Sequence, residues 1–368
     1  MLRYFVACFL FFLLTAPTRG PYSPIVEPPA IARNVILMIG DGMGLSQISL
    51  YAQKTGATVF EEFPVIGFQK THSSNQLITD SAAGATAMAS GRKTSNSAIG
   101  VDEEGERLTS LFELARERNY ATGVIATASL THATPAAFLA HRRLRGMFYG
   151  IAEDIAESDT DLLVGGGRQY FLKEEGTSPL DVLTERGYRI VAPSRRNFEK
   201  FVPGPERPLL FLTATGEPVP ASEGRDYLPA AVRLAGDFLS ARSENGFVLM
   251  AEGSQIDWAL HKNNVEYFLD EMEDFELSIQ AALEFARRDG NTLVVVTADH
   301  ETGGLALNGR GKNKIQPEFT TKKHTAVMVP VFAYGPGAER FGGTYDNTEI
   351  FYRIRAALAW GDHEDKGL

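Results

Sequence analysis

Continuous apolar runs, separated by amphipathic stretches, dominate the pattern of the chain. Residues 34–40 (NVILMIG) form such a run and end in glycine, and similar runs occupy residues 121–127, 247–250, 292–297 and 327–333. Runs without polar alternation are typical of strands that are buried on both faces, as in a parallel sheet. The pattern therefore predicts five buried strands.

Helical periodicity lies between these runs. It is visible at residues 108–118 and clearer at residues 270–288, where apolar side chains recur at helical spacing. Strands that alternate with helices predict βαβ units, and so a three-layer α/β/α sandwich with a mainly parallel central sheet. Residues 193–225, which hold several prolines and glycines, are predicted to be a surface excursion. Ligands in such folds bind beyond the carboxyl ends of the strands, where we expect the chemical residues.

The first thirty residues differ from the rest of the chain. Residues 1–20 combine Arg3, an apolar run and a small, polar end, which predicts a secretory signal peptide and a secreted or periplasmic protein. The run holds roughly 10 apolar residues, too few for the ~20 that span a bilayer, and no later segment predicts a stable membrane span. The proline-rich residues 21–30 are predicted to be a linker, and residues 31–368 one catalytic domain.

Composition and charge restrict the kind of partner. The chain has 368 residues, of which 44% are hydrophobic, and a formal net charge of -10. Such a charge disfavours nucleic acid as a specific partner, and it would also repel a small phosphate ester unless the site is locally positive. The one cysteine, Cys8, lies in the predicted signal peptide, so no disulfide is expected in the mature protein.

Two carboxylates directly follow strand-like runs. Asp41 comes after residues 34–40 in the segment GDGMG, and Asp299 with His300 comes after residues 292–297. A carboxylate and an imidazole at a strand end can both bind a metal ion. The alternatives are an Asp-Gly turn at Asp41 and a helix cap at Asp299 beside a solvated His300. Neither motif alone distinguishes these alternatives from a metal site.

Another cluster follows residues 247–250. Glu252 lies at the predicted strand end, and Asp257 and His261 are four residues apart, so that on a helix they share one face. The alternative is that Asp257 and His261 form an ordinary surface pair. His324, which precedes the last apolar run, is by itself weak evidence for a metal site. Three of the seven histidines nevertheless lie at strand edges near carboxylates, and aspartate with histidine suits zinc.

Two further motifs suit a phosphate group. Ser81 begins a helix of small residues (TDSAAGATA), whose first amides would attract an anion, although an ordinary N-cap is the alternative. His132 and Thr134 precede a helix predicted to begin at Pro135. Three arginines follow on the same predicted helix, and the sequence alone does not choose among them: Arg142, Arg143 and Arg145. An arginine fork binds two phosphate oxygens at once, whereas a solvated helix face needs no ligand.

In order and spacing, these motifs resemble those of the bacterial-type alkaline phosphatase family. They are DGMG, TDSAA, HATPAA followed by arginine, EGSQID with a histidine four residues beyond the aspartate, TADH and a late HT, and they extend from residue 34 to residue 357. The resemblance implies an alkaline-phosphatase-like fold. It also implies hydrolysis of small-molecule phosphate monoesters through a phosphoserine, with two Zn²⁺ and one Mg²⁺ as cofactors.

The resemblance also implies the ligands of the two zinc ions. The first zinc would be held by a carboxylate and two imidazoles, and the second by two carboxylates and one imidazole. These residues are Asp257, His261 and His324 for the first ion, and Asp41, Asp299 and His300 for the second.

For the third metal the resemblance implies Asp41, Thr134 and Glu252 as ligands. Ser81 would be the nucleophile beside the second zinc. Arg145, eleven residues after Thr134, would bind the phosphate of the substrate.

Two positions depart from the best-known bacterial form of the family. His132 stands where that form has aspartate, and Trp258 where it has lysine. Because magnesium prefers oxygen ligands and imidazole favours zinc or cobalt, His132 as a ligand leaves the third metal open between Mg²⁺, Zn²⁺ and Co²⁺. The stretch between His300 and His324 is short, so the resemblance leaves a homodimer open as well.

Two other functions compete with the phosphomonoesterase. A phosphodiesterase of the same superfamily would share the two-zinc core, but the third-site residues and Arg145 would not be expected in it. A non-catalytic zinc- or phosphate-binding protein would need no nucleophile, and Ser81 argues against it. Neither the natural substrate nor the pH optimum follows from the sequence.

Overall fold

A large sheet between two helical layers organises the part of the chain that the structure describes. This computed structural model describes four segments: residues 31–192, 195–200, 204–309 and 314–361. The predicted signal peptide and linker lie outside the described residues. No helix within the described segments is long and apolar enough to cross a bilayer.

The main sheet has ten strands in the order β14-β2-β13-β8-β1-β7-β3-β4-β6-β5. Two small two-stranded sheets, β10-β11 and β12-β9, lie outside it. The bounds of the strands are β1 Asn34–Gly40, β2 Val65–Lys70, β3 Ala121–Ser129, β4 Leu162–Gly166, β5 Arg189–Ile190, β6 Leu209–Leu212, β7 Phe247–Gly253, β8 Thr292–Thr297, β9 Glu301–Thr302, β10 Leu305–Gly309, β11 Ile315–Phe319, β12 His324–Thr325, β13 Val329–Tyr334 and β14 Gly343–Asp346.

The helices pack on both faces of this sheet. Their bounds are α1 Leu45–Thr55, α2 Ser81–Ser90, α3 Leu111–Glu117, α4 Ala133–Leu139, α5 Phe148–Glu157, α6 Pro179–Glu185, α7 Arg195–Lys200, α8 Leu228–Arg242, α9 Gln255–His261, α10 Val265–Asp289 and α11 Glu349–Ala357. Helix α10 begins earlier than predicted because the Asn264 side chain caps it by accepting a hydrogen bond from the Tyr267 amide. It ends at Asp289, because the following Gly290 has a φ of 75° and cannot continue the helix.

Strand β1 shows why its sequence is apolar without alternation. Ile36 and Met38 face the core under α8 and α10, whereas Val35, Leu37 and Ile39 face the core on the other side. Every residue of β1 is buried, and β1 pairs in parallel with β7 and β8. The predicted three-layer α/β/α architecture with a mainly parallel sheet is therefore confirmed.

The prediction that residues 193–225 form a surface excursion was wrong in part. Leu209–Leu212 is a fully buried strand, β6, that pairs in parallel with β4. Only four apolar residues carry the signal, and flanking prolines and glycines hide it. The chain then returns to the carboxyl edge of the sheet, where the Glu217 carboxylate accepts hydrogen bonds from the Ser129 amide and hydroxyl at 2.6 and 2.9 Å.

The predicted strand at residues 327–333 differs from the observed one in its start and direction. Val327 and Met328 are exposed, and β13 begins at Val329. It is antiparallel to both of its neighbours, β8 and β2. The beginning of β13 therefore lies at the same edge of the sheet as the carboxyl ends of the parallel strands, which brings the preceding segment with His324 to that edge.

Candidate metal centre

Four adjacent strands deliver the candidate ligands to one edge of the sheet. In the order β8-β1-β7-β3, each strand ends at a motif singled out in the sequence. Asp41 follows β1, Glu252 lies at the end of β7, and Asp299 with His300 follows β8. His132 follows β3 and is the N-cap of α4. These four segments thus meet at the edge where ligands of such sheets bind.

Glycine permits the close approach of these segments. A Cβ on Gly42 would lie 2.8 Å from Thr302 Oγ1 and 3.0 Å from Asp257 Oδ1, and the φ of this residue is +73°. A Cβ on Gly84 would lie 3.1 Å from the Asp299 carbonyl oxygen. The DGMG turn and the small-residue helix α2 are therefore needed so that backbone can pack directly against the ligand-bearing loops.

Asp257, His261 and His324 form the first group, whose ligand atoms all lie within 4.8 Å of one another. His261 Nε2 is 3.1 Å from Asp257 Oδ2 and 3.2 Å from His324 Nε2. The Nδ1 atom of His261 donates to the Lys322 carbonyl at 2.6 Å, and that of His324 donates to the Thr79 carbonyl at 2.9 Å. These outer hydrogen bonds leave both Nε2 atoms free to bind a metal ion.

Asp41, Asp299 and His300 form the second group. His300 Nε2 lies 3.1 Å from Asp299 Oδ2, 3.4 Å from Asp41 Oδ1 and 3.3 Å from Ser81 Oγ. The Ser81 hydroxyl therefore lies beside the ligand atoms of this group. Ser81 is also the first residue of α2, so its hydroxyl lies at the positive end of the helix dipole.

Asp41 is shared with the third group, Asp41, His132 and Glu252. Thr134 Oγ1 is buried without a hydrogen-bond partner among the described residues, and so is the Nδ1 atom of His132. The rings of His132 and Trp258 pack edge to face with centroids 5.7 Å apart. The structure thus places both unusual positions at this group.

Arg145 faces the site, but not from a helix as predicted. Helix α4 ends at Leu139, and Arg145 lies in a turn held by a 2.7 Å hydrogen bond from its amide to the Ser97 carbonyl. Its guanidinium lies 3.1 Å from Asp80 Oδ2 and 3.4 Å from His132 Nε2.

The neighbouring arginines are engaged elsewhere. Arg142 makes two hydrogen bonds to Asp154, and Arg143 donates to the Glu104 carbonyl. Of the three arginines, Arg145 is therefore the one that the geometry brings to the third group.

Sequence reasoning missed two residues of the site. Asp80 caps α2 through the Ala83 amide and also pairs with Arg145. The Thr302 hydroxyl donates to Asp257 Oδ1 at 2.5 Å and lies 3.3 Å from His300 Nδ1, so that it bridges the first and second groups. The N-cap position of Asp80 was a signal, whereas nothing in the sequence pattern marks Thr302.

The carboxylates of the site repel one another. Burial and the charge of Asp299 raise the pKa of Asp41 well above its usual range, and burial raises the pKa of Glu252 to about 8. Neither oxygen of Asp41 has a hydrogen-bond partner among the described residues. Buried, unpartnered carboxylates that converge with imidazoles fit divalent cations, which would offset this repulsion.

The histidines differ in their protonation. The hydrogen bond to Asp257 raises the pKa of His261 to about 8. Burial, together with the charge of Arg145, lowers the pKa of His132 to about 4, and burial, together with the charge of His300, lowers that of His324 to about 4. At neutral pH His132 and His324 are neutral, the form in which imidazole binds a metal ion.

The chain is similar in sequence to known proteins over most of its length. The sequence model of the alkaline phosphatase family matches residues 32–192, 225–318 and 308–360. Alkaline phosphatase 3 of Bacillus subtilis (strain 168) is 32% identical over 418 aligned positions, which cover 89% of this chain and 89% of the relative. Alkaline phosphatase of Escherichia coli (strain K12) is 30% identical over 406 positions, with 89% and 86% covered.

Solved structures agree in fold. Alkaline phosphatase from the Antarctic bacterium TAB5 superposes with a TM-score of 0.84 at 42% identity, covering 91% of this chain and 100% of that chain. In two related structures, with TM-scores of 0.83, a histidine of that enzyme is replaced by aspartate or glutamate and Mg is bound in its M3 site.

Stability of the metal-free protein should fall as the pH rises from 6.5 to 8. Glu252, with its raised pKa, keeps a proton that the unfolded chain has released, and His261 behaves likewise in this range. The free energy of unfolding then decreases with pH, by about 2 kcal/mol from Glu252 alone. The lowered pKa values of His132 and His324 act in the opposite direction, but only weakly above pH 6.5, because the unfolded histidines have by then lost about half of their protons. Urea unfolding of chelator-treated protein across this range measures the slope.

Glu252→Gln is the matched control: it cannot ionise at this position, so the slope should fall to the part that His261 contributes. Protein loaded with zinc and magnesium should lack the slope, because cations bound at all three groups keep Glu252 ionised and His261 deprotonated. A slope that is the same in all three proteins would contradict the assignment.

Proposed function

Since this chain belongs to the alkaline phosphatase family and is a phosphomonoesterase, we propose that Ser81 is its phosphate-accepting nucleophile. The observation that carries the proposal is the position of the Ser81 hydroxyl, 3.3 Å from His300 Nε2 and at the first residue of α2. A nucleophile beside a metal-ligand group and a helix N-terminus can attack a phosphate that both of them attract.

Metal binding belongs to the family, and we assign zinc to the first and second groups. Asp257, His261 and His324 would hold one ion, and the group that contains His300 would hold the other. Bound zinc would supply Lewis acidity that lowers the pKa of the Ser81 hydroxyl and stabilises the leaving oxygen. The third group, with Thr134 at its side, would hold magnesium, or zinc or cobalt because of His132.

The reaction then follows from the chain's own residues. The Ser81 oxygen attacks phosphorus as the bond to the alcohol oxygen breaks. The serine proton passes to solvent, and the leaving oxygen takes up a proton from solvent and departs as the alcohol. Water next attacks the phosphoserine, which releases phosphate and restores the hydroxyl. The Arg145 fork and the first amides of α2 bind the phosphate oxygens, and Asp80 orients the guanidinium. The His300 ring faces Ser81 as a metal ligand, so no histidine base is needed.

A phosphodiesterase is the nearest competing function. Its substrate carries a second ester group in place of one phosphate oxygen that Arg145 and the third group would contact. The convergence of Arg145, His132 and Asp80 around the site favours a monoester.

The zinc- and magnesium-loaded protein should hydrolyse a chromogenic phosphomonoester at alkaline pH and leave the matching diester almost untouched. Exhaustive chelation should abolish the reaction, and zinc with magnesium should restore it, because converging ligands without cations cannot activate Ser81. Ser81→Ala is the control: it should lose several orders of magnitude in rate and keep phosphate binding.

Trapping with labelled phosphate at acid pH should mark the parent at Ser81 and leave Ser81→Ala unlabelled. Activity that survives chelation, or a labelled residue other than Ser81, would refute the proposal.

Substitutions at His132 and Trp258 should tune the third site and phosphate release. His132→Asp replaces a neutral imidazole with an oxygen ligand and should raise magnesium affinity. Variants of the TAB5 enzyme with aspartate or glutamate in place of a histidine hold Mg in the M3 site, which supports this expectation. Trp258→Lys adds a cation beside Asp257 and should lower the inhibition constant for phosphate. Magnesium titration and phosphate inhibition curves measure the two effects, and unchanged values in both would show that these side chains only pack there.

The proposal also includes that the protein is exported from the cytoplasm and that it forms a homodimer. The signal-like residues 1–20 support export. Exposed apolar side chains on the two segments that flank the first group, Leu77 and Val327, support contact with a second copy. Native mass spectrometry of protein recovered from outside the cytoplasm should show a shortened subunit in pairs. A full-length monomer there would contradict signal-peptide cleavage and pairing, and absence of the protein from that compartment would contradict export.

A further inference from the structure

The Glu301 carboxylate lies buried next to the ligand His300, and no cation pairs with it in the described part of the chain. Only 3% of the residue is exposed. Its Oε1 atom accepts hydrogen bonds from Gln47 Nε2 at 2.6 Å and from the Leu305 amide at 3.3 Å. Its Oε2 atom accepts from the Gly304 amide at 3.3 Å and from the Thr325 hydroxyl. Four neutral donors therefore fix one carboxylate.

Through Thr325 this carboxylate reaches the first group. Thr325 directly follows the ligand His324, and both form β12, which pairs with β9. In that short ladder Thr325 lies opposite Glu301, and His324 lies opposite Thr302. The side-chain bond between Glu301 and Thr325 thus reinforces a ladder of only two residue pairs.

The same ladder sets the distance between two candidate zinc ligands. The rings of His300 and His324 stack with centroids 3.5 Å apart and an interplanar angle of 21°. His300 belongs to the second group and His324 to the first. A shift of β12 along β9 would therefore move His324 away from Asp257 and His261.

Gly44 of the DGMG turn also packs against Glu301. A Cβ at Gly44 would lie only 2.5 Å from Glu301 Cγ, so a larger residue would displace the glutamate side chain. The Gln47 amide donates both to Glu301 and to the Thr302 carbonyl, at 2.6 and 2.8 Å. The beginning of α1 is thereby tied to the loop that follows β8.

We propose that Glu301 is a positioning residue that holds His324 in the first zinc group by bonding the Thr325 hydroxyl across the β9–β12 ladder. The inference rests on the proposed function, because it takes Asp257, His261 and His324 as a zinc site. Glu301 touches neither zinc nor substrate in this role. It acts through the backbone of β12.

Thr325→Val tests the inference with little change in side-chain shape. It removes the donor to Glu301 Oε2 and should weaken zinc at the first site about tenfold, the lower end of the effect of outer-shell hydrogen bonds on metal affinity. Glu301→Gln should also weaken it, because the new amide NH2 faces a backbone N–H donor, although the Thr325 hydroxyl can turn to accept from it. Thr320→Val is the matched control: its hydroxyl donates to the Gly304 carbonyl in the same region and not to Glu301.

The measured quantity is the amount of zinc that each protein retains. Purified full-length proteins loaded with two zinc ions are titrated with a competing chelator, and bound zinc is counted by elemental analysis. The expected result is early loss of one zinc from Thr325→Val, an unchanged second zinc, and a parent-like Thr320→Val. Melting of the metal-free proteins reports on stability independently of the metal.

Three results would overturn the inference. In the first, Thr325→Val binds both zinc ions within twofold of the parent. In the second, Thr320→Val and Thr325→Val lose zinc equally. In the third, both zinc ions weaken together with a lower melting temperature of the metal-free variant, which would mean a general structural role. A parent chain that binds no zinc would instead refute the proposed zinc sites and the role of Glu301 with them.

Discussion

The mutual repulsion of four buried carboxylates is the constraint on which the rest of the site depends. Asp41, Glu252, Asp257 and Asp299 are at most 5% exposed and converge at the ends of neighbouring strands. Charges so placed are costly unless cations or protons offset them. The apolar layers on both faces of the sheet supply the stability that holds the strand ends together, and the converging ligand atoms then favour cations strongly.

Hydrogen bonds outside the ligand groups orient the ligands before any ion binds. His261 and His324 each donate Nδ1–H to a backbone carbonyl, which fixes the ring and leaves Nε2 for a metal. Thr302 connects Asp257 with His300, and Glu301 holds the ladder that carries His324. The metal centre is thus built largely from short β segments and loops, and its precision depends on bonds between side chain and backbone.

A negatively charged protein that hydrolyses phosphate esters needs a positive electrostatic potential at its active site. The formal net charge is -10, yet Ser81 is the first residue of α2, at the positive end of that helix, and the Arg145 guanidinium pairs with Asp80, the residue before it. Three cation sites would add the larger share of positive charge. His132 is neutral at working pH, so it lowers the negative charge around the third site compared with a carboxylate. Its ring and that of Trp258 pack together, which couples the two positions that depart from the best-known bacterial form.

The sequence alone was enough to predict the buried strands and the loops that carry the candidate ligands. The unbroken apolar run of β1 predicted a strand buried on both faces, because burial on both faces excludes polar alternation. Carboxylates and histidines directly after such runs marked the ligand-bearing loops. The resemblance to a family then sorted these residues into three groups, and the structure brings together the members of each that carry a carboxylate or an imidazole.

Only the tertiary structure decided the direction of β13 and the burial of Leu209–Leu212. It also decided which side chains contact the candidate site: Arg145 pairs with Asp80, Arg142 pairs with Asp154 instead, and Thr302 bonds Asp257. Local sequence patterns indicate whether a segment is buried and whether its apolar residues repeat with helical or strand periodicity. They do not report which way a strand runs or which distant side chain it meets, because those outcomes depend on contacts between residues far apart in the chain. His324 reaches the metal centre because β13 runs against its neighbours, and no periodicity within residues 324–334 carries that information.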